Sequence, residues 1–293
     1  VVAIRQLLRF DVLLVGVLVI ATRLGCILHE VGGHALVAQL LGAKILSIEV
    51  TLFGGGSVDY DFPTEPSMAA SFWVTAAGML VNLVTGTAAL LLARRYESRH
   101  VLGPLLAVFG ATSVLLPLAY LAIGGYYEAG DSGQLLYYIA EWGLPANRLL
   151  WSLGFLGLTP LLSYLALRPF CRIQQARFPS ATHHGRFAIG LLTFGVAIVM
   201  YLGLYARCRH LAPQHLVAFD GGQRAQQLPN GSEMHIPMIP AVACGYLLGG
   251  AFAQRSGTSG TTATPLSWRA ALGTCVVAFA MLAAIYAIGQ RFI

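Results

Sequence analysis

Six apolar windows, near residues 11–41, 70–93, 103–124, 148–168, 187–206 and 268–290, constrain everything else this chain can do. A bilayer core is crossed by roughly 20 helical residues, and each window is long enough. A weaker seventh lies near 237–254. The 293 residues are 57% hydrophobic and 10% charged, with a mean hydropathy of +0.70, too little polar material to clothe a globule in water. We therefore expect an all-α polytopic membrane protein of six to seven transmembrane helices, with the lipid bilayer as its solvent. The net charge of +6 does not make a nucleic-acid face, because the arginines fall at the ends of the windows, where headgroups lie. No nucleic-acid partner is expected.

The first window is too long for one upright helix, so it is tilted or broken, with Arg23-Leu24-Gly25 as the natural break. Arg5 and Arg9 precede it as in a signal peptide, but no cleavage site follows, so we read a retained helix; the start at Val1 implies residues upstream or a non-Met start codon. After it, "KILSIEVTLFGGGSVDYDFPTEP" alternates apolar and polar residues on both sides of a Gly-Gly-Gly turn, which predicts a small β-hairpin over 45–62. Stretches 94–100 and 168–186 are basic and read as cytoplasmic under the positive-inside rule; with seven spans the hairpin then faces the other side, and a break in the first window would reverse that. Residues 207–236 form a polar loop and 254–265 a flexible linker.

Inside the first window stands "CILHEVGGHALVAQLLGA". Ionisable groups are costly in a membrane interior and usually mark function. A lone histidine there is more often polar glue between helices; His29, Glu30 and His34 together argue for chemistry. In the zinc signature HExxH the histidines are four apart, so both imidazoles reach one ion from one helix face while the glutamate acts on water. Here they are five apart, and in a regular α-helix that step turns the second side chain about 140° from the first. A π-bulge absorbs one extra residue, and Gly32-Gly33 would not resist it, which would return His29 and His34 to one face. Two alternatives stay open: Glu30 with His34, four apart, as the metal pair, or an insertion that abolishes metal binding. The five cysteines contain no CxxC pair and suggest neither a disulfide framework nor a thiolate site.

The chain resembles the site-2 protease family of intramembrane zinc metallopeptidases, above all its short, divergent bacterial members. The resemblance runs from "HEVGGHALVAQLLGAKIL" through "FGGGSVDYDF" to "TAAGMLVNLVTG" and "EAGDSGQLL". It implies a three-helix core with the hairpin within residues 1–140, followed by additional membrane helices over 141–293. It implies one Zn²⁺ held by His29, His34 and Asp131, Glu30 as general base, and Asn82 as a polar helper to substrate or oxyanion; a helix-packing role for Asn82 is the plain structural alternative. Glu128 is the fallback third ligand. The chain departs from the family in the five-residue spacing and in lacking the Asn-Pro that commonly precedes the aspartate, where it has "GGYYEAGD".

The expected function is hydrolysis of peptide bonds in membrane-embedded protein substrates, in a bacterial inner membrane. The alternative is a catalytically inactive homologue that serves as a structural or regulatory subunit of a membrane protein complex. A proton or ion relay through His29, Glu30 and Asp131 ranks last, because the later windows offer almost no ionisable residues. His100, His183, His184, His210, His215 and His235 read as loop residues, and Tyr126, Tyr127, Tyr137, Tyr138, Trp142 and Trp151 as an interfacial aromatic belt.

Overall fold

The computed structural model describes residues 4–52, 55–128, 130–178, 181–208 and 265–289. Helix α1 (Ile4–Ile27) runs without a break into a π-helix (Leu28–Ala35) and a last short turn, α2 (Leu36–Leu40). The hairpin follows, β1 (Lys44–Val50) antiparallel to β2 (Gly56–Asp61), with Lys44 opposite Asp61 and a register irregularity between Ile45 and Ser47. Then come α3 (Met68–Arg95), α4 (Leu102–Tyr127), α5 (Gly130–Glu141), α6 (Arg148–Arg177), α7 (His183–Cys208) and α8 (Trp268–Gly289). Among the described residues five helices are long and apolar enough to cross a membrane: the continuous Ile4–Leu40, α3, α4, α6 and α8. The window at 187–206 is helical as α7. The seventh window, the linker and nearly all of the 207–236 loop with its histidines lie outside the described residues.

The first window does not break at Arg23. That side chain is buried, and its Nη1 donates to the carbonyl of Thr51 at the hairpin tip, 2.6 Å away. A guanidinium inside an apolar helix thus has an oxygen to satisfy it, and the tip of the hairpin is tied to α1. The span instead stays continuous over the 37 residues Ile4–Leu40, and the π-helix takes up only about one residue of it.

Helix α4 is the hub, packing on α1, α3, α5 and α6, while α1 also packs on α7 and α8. Around the first half of α1, Phe10, Leu13, Leu14 and Val17 meet Phe170, Ile173 and Phe178, with Phe10 and Phe170 stacked 6.1 Å apart. Small residues bring α3 close to its neighbours: a Cβ on Gly86 would stand 2.8 Å from that of Ser113 on α4. Such contacts replace the hydrophobic drive that lipid does not supply. Helix ends are capped in the ordinary way, Ser67 accepting from the Ala70 amide and Asn147 from Leu149 and Leu150. Trp151, one of the aromatics expected at the interface, has a packing role as well. Its Nε1 donates to the Leu121 carbonyl at 2.9 Å and its ring fills the space Gly125 leaves, so it locks α6 against the end of α4.

Candidate metal centre

A π-helix closes its hydrogen bonds five residues apart, so positions i and i+5 stack where an α-helix would turn them away. The Leu36 amide accordingly reaches the Val31 carbonyl. His29 and His34 fall on one face, with ring centroids 4.7 Å apart and Nε2 atoms 3.1 Å apart. A single bulge was the sequence expectation; the structure spreads the distortion over Leu28–Ala35. Two glycines make this affordable in space. Gly33 lies against the backbone of Ala77 and Gly78, where a Cβ would collide, and a Cβ on Gly78 would stand 2.6 Å from the Nε2 of each histidine. Helix α3 is hollowed to admit both rings.

The third group arrives from α5. After α4 the chain reverses through Glu128 and Gly130, both at φ 54°, a conformation that favours glycine at the second position. Gly130 is pressed against the Tyr120 hydroxyl, and that oxygen accepts the Asp131 amide. Asp131 Oδ2 then lies 3.1 Å from His29 Nε2 and 3.2 Å from His34 Nε2. Glu128, the fallback ligand, pairs instead with Arg148 at 3.3 Å.

The proton positions follow from the neighbours. His34 Nδ1 lies 2.7 Å from the Val74 carbonyl, which can only accept, so Nδ1 carries the hydrogen and Nε2 offers a lone pair. Asn82 lies against His29 Nδ1 at 3.3 Å through its amide nitrogen, while its Oδ1 is buried without a partner. Turning that amide over lets His29 Nδ1 donate to Oδ1, removes the orphan and again leaves Nε2 as a lone pair. Three electron-pair donors then point at one another, an arrangement that a shared cation makes favourable. Ligands 2.0–2.1 Å from a tetrahedral ion stand about 3.3 Å apart, close to the 3.1–3.2 Å found. Among the described residues, His29, His34 and Asp131 form the one group able to hold a metal ion. In the chain without a metal, burial would push the Asp131 carboxyl up, but protonated His34 and His29 would outweigh that push and hold the group well below the usual carboxylate range.

Glu30 is buried beside this group, within electrostatic reach of all three, and accepts the Gly56 amide at the start of β2. Pairing of Glu30 with His34 is not what the fold brings together; His29 takes that place. Asn82, expected as a polar helper to substrate or oxyanion, lies beside His29 within the same site. Sequence reasoning missed Tyr120, Gly78 and the Val74 carbonyl. Gly78 sits inside "TAAGMLVNLVTG", where a glycine amid small residues signals close approach, but nothing in the sequence marks Tyr120.

A family model described as Peptidase M50B-like matches residues 2–165, the span that carries every one of these groups. The chain belongs to the Peptidase M50B-like family. This places it among site-2-protease-like membrane metallopeptidases, a family of zinc enzymes. None of the curated proteins and none of the solved structures matches the chain.

Proposed function

We propose that this M50B-like chain hydrolyses peptide bonds of membrane-embedded protein substrates, using one zinc held by His29, His34 and Asp131. The convergence of those three donor atoms beside a buried glutamate carries the reading. Bound there, zinc supplies Lewis acidity, polarising a carbonyl and making water acidic enough to attack near neutral pH. Glu30 is the base that takes the proton from the attacking water and delivers it to the leaving amine. The Gly56 amide orients that carboxylate, so the hairpin and the base move together. Asn82 and the Val74 carbonyl hold the two imidazoles in the tautomer that keeps Nε2 free.

A substrate helix must unwind to expose its backbone, and the hairpin offers it a place. Among the described residues β1 and β2 pair only with each other, leaving outer edges with unsatisfied amides and carbonyls. Arg23 ties the hairpin tip to α1, and an open edge there favours addition of an extended strand, because an unwound substrate backbone needs partners too.

The test is metal content of the purified full chain by elemental analysis, together with cleavage of model membrane substrates in liposomes. About one zinc per chain is expected for a site with one set of three ligands, lost in His34→Ala and Asp131→Ala; Glu30→Gln keeps the metal and loses hydrolysis. A well-folded wild type that takes up no zinc after supplementation would overturn the proposal and leave the alternative, a silent homologue whose partners are subunits of a membrane complex.

A further inference from the structure

Beside the metal centre, where β2 ends and α3 and α5 begin, lies a cleft of about 350 Å³, at the small end of ligand pockets. Its walls are aromatic, from Tyr60, Phe62 and Tyr138, and its polar lining comes from Asp61, Glu65 and Gln134 together with Thr64 and Ser71. Gln134 stands one helical turn beyond Asp131 on α5, so the cleft adjoins the site without being part of it.

The lining of the cleft contains two carboxylates and no cation. Thr75 has one hydroxyl proton and two oxygens in reach, the Ser71 carbonyl at 3.0 Å and the Gln134 side-chain amide at 3.1 Å. The Ser71 carbonyl already receives the helical amide four residues on, so the Thr75 hydroxyl is free to donate to the Gln134 side-chain oxygen, which is thereby engaged. Asp61 and Glu65 are the two carboxylates. Among the described residues neither forms an ion pair: Lys44 stands opposite Asp61 in the ladder without closing on it, and Arg148 is engaged by Glu128. Aromatic faces beside unpaired carboxylates make a receptor for a cation on a long apolar stem.

We infer that this cleft is a specificity subsite that takes an arginine or lysine side chain of the protein substrate. The inference rests on the peptidase reading for the word substrate, but the cleft's preference for a cation does not. Gly56, which touches Glu30, and Asp61, at the cleft, are five residues apart along β2. At about 3.3 Å per residue that is about 16 Å, so a strand added beside β2 carries its basic residue roughly four to six positions from the bond beside Glu30. The substrate class is thus a membrane protein with a basic residue on the flank of the cleaved segment.

Binding tests this directly. The full chain in lipid nanodiscs, stripped of metal with chelator, is titrated with an extended fluorescent peptide carrying one arginine, and with the same peptide carrying citrulline, which keeps the shape and lacks the charge. The arginine peptide should bind about tenfold more tightly, the sum expected for a cation over aromatic faces and beside screened carboxylates. In Asp61→Asn/Glu65→Gln the two peptides should bind alike, and in Glu65→Arg a glutamate peptide should overtake the arginine peptide. Equal binding of both peptides to wild type, no binding of either, or a preference that survives the double variant each overturns the subsite. Because the chain carries no metal in this assay, failure of the hydrolytic reading is scored separately: a protein that prefers arginine but never cleaves keeps the subsite and loses the peptidase.

Discussion

The two halves of the first membrane span are built on opposite plans. From Ile4 to Ile27 it is a regular α-helix whose Phe10, Leu13, Leu14 and Val17 are fully or almost fully buried against α4, α6 and α8. From Leu28 to Ala35 it is a π-helix whose neighbours are glycine backbone, a hairpin and three ionisable side chains. One half gains from filling space, the other from leaving space for imidazoles. A wide turn of backbone is unfavourable by itself, so the regular half and the close Gly33–Gly78 contact must hold it in place. Distortion is concentrated where two ligands have to meet.

The sharpest way to break this contrast is to change the count of residues between the histidines. Inserting an alanine after Gly32 makes the spacing six, which neither an α- nor a π-turn aligns; zinc binding should be abolished, as elemental analysis would show. Deleting Gly32, which has open contact with Val81 rather than a tight one, restores the four-residue spacing of an ordinary α-helix and should keep about one zinc per chain. If the deletion loses zinc while the protein stays folded, the π-helix is doing more than correcting phase.

Gly78→Ala is the next largest. Its methyl would sit 2.6 Å from both Nε2 atoms, so the rings must retreat, and zinc affinity should fall on the order of 100-fold, at or beyond the upper range for lost supporting groups. Thermal stability in detergent should change far less than zinc affinity, because α3 can accept a methyl group more easily than the ligands can move. Tyr120→Phe removes the hydroxyl that accepts the Asp131 amide. Its loss should weaken zinc about tenfold, measured by competition with a chelating dye.

How much of this could be read in advance follows the same division. The apolar windows set the membrane spans because a bilayer demands length and hydropathy, both of which are local in sequence. The hairpin was legible from alternation and a glycine turn, and observed Lys44–Val50 with Gly56–Asp61 falls within a residue of the expected 45–62 limits. Which residues would converge was legible only as far as spacing goes. His29 and His34 declared themselves through a near-miss to a helical period, whereas Asp131, 97 residues beyond His34, came from resemblance. Tyr120, Gly78 and Val74 were invisible because their roles exist only when α3, α4 and α5 are packed: a backbone carbonyl, an absent side chain and a phenol carry no pattern along the chain. For the first window the sequence leaves a tilt and a break near Arg23 both open, because the Thr51 carbonyl that satisfies Arg23 within an unbroken helix is 28 residues away.

The smallest effect on the metal, and the cleanest check of the contrast, belongs to Phe10→Ala. Phe10 is fully buried and touches Phe170 and Phe178, at 6.1 Å and 5.7 Å between centroids, far along α1 from His29. Losing it should cost on the order of 2 kcal/mol of stability, less than in a water-soluble core because lipid does not drive the ring inward. Zinc affinity of the folded fraction should be unchanged, since no ligand or ligand partner contacts that cluster. Thermal unfolding in detergent and zinc competition on the same samples separate the two readouts. Should zinc affinity fall in step with stability, the π-helix is held by the whole length of α1 rather than by its contact with α3, and the site's geometry is a property of the bundle, not of the two glycines that meet across it.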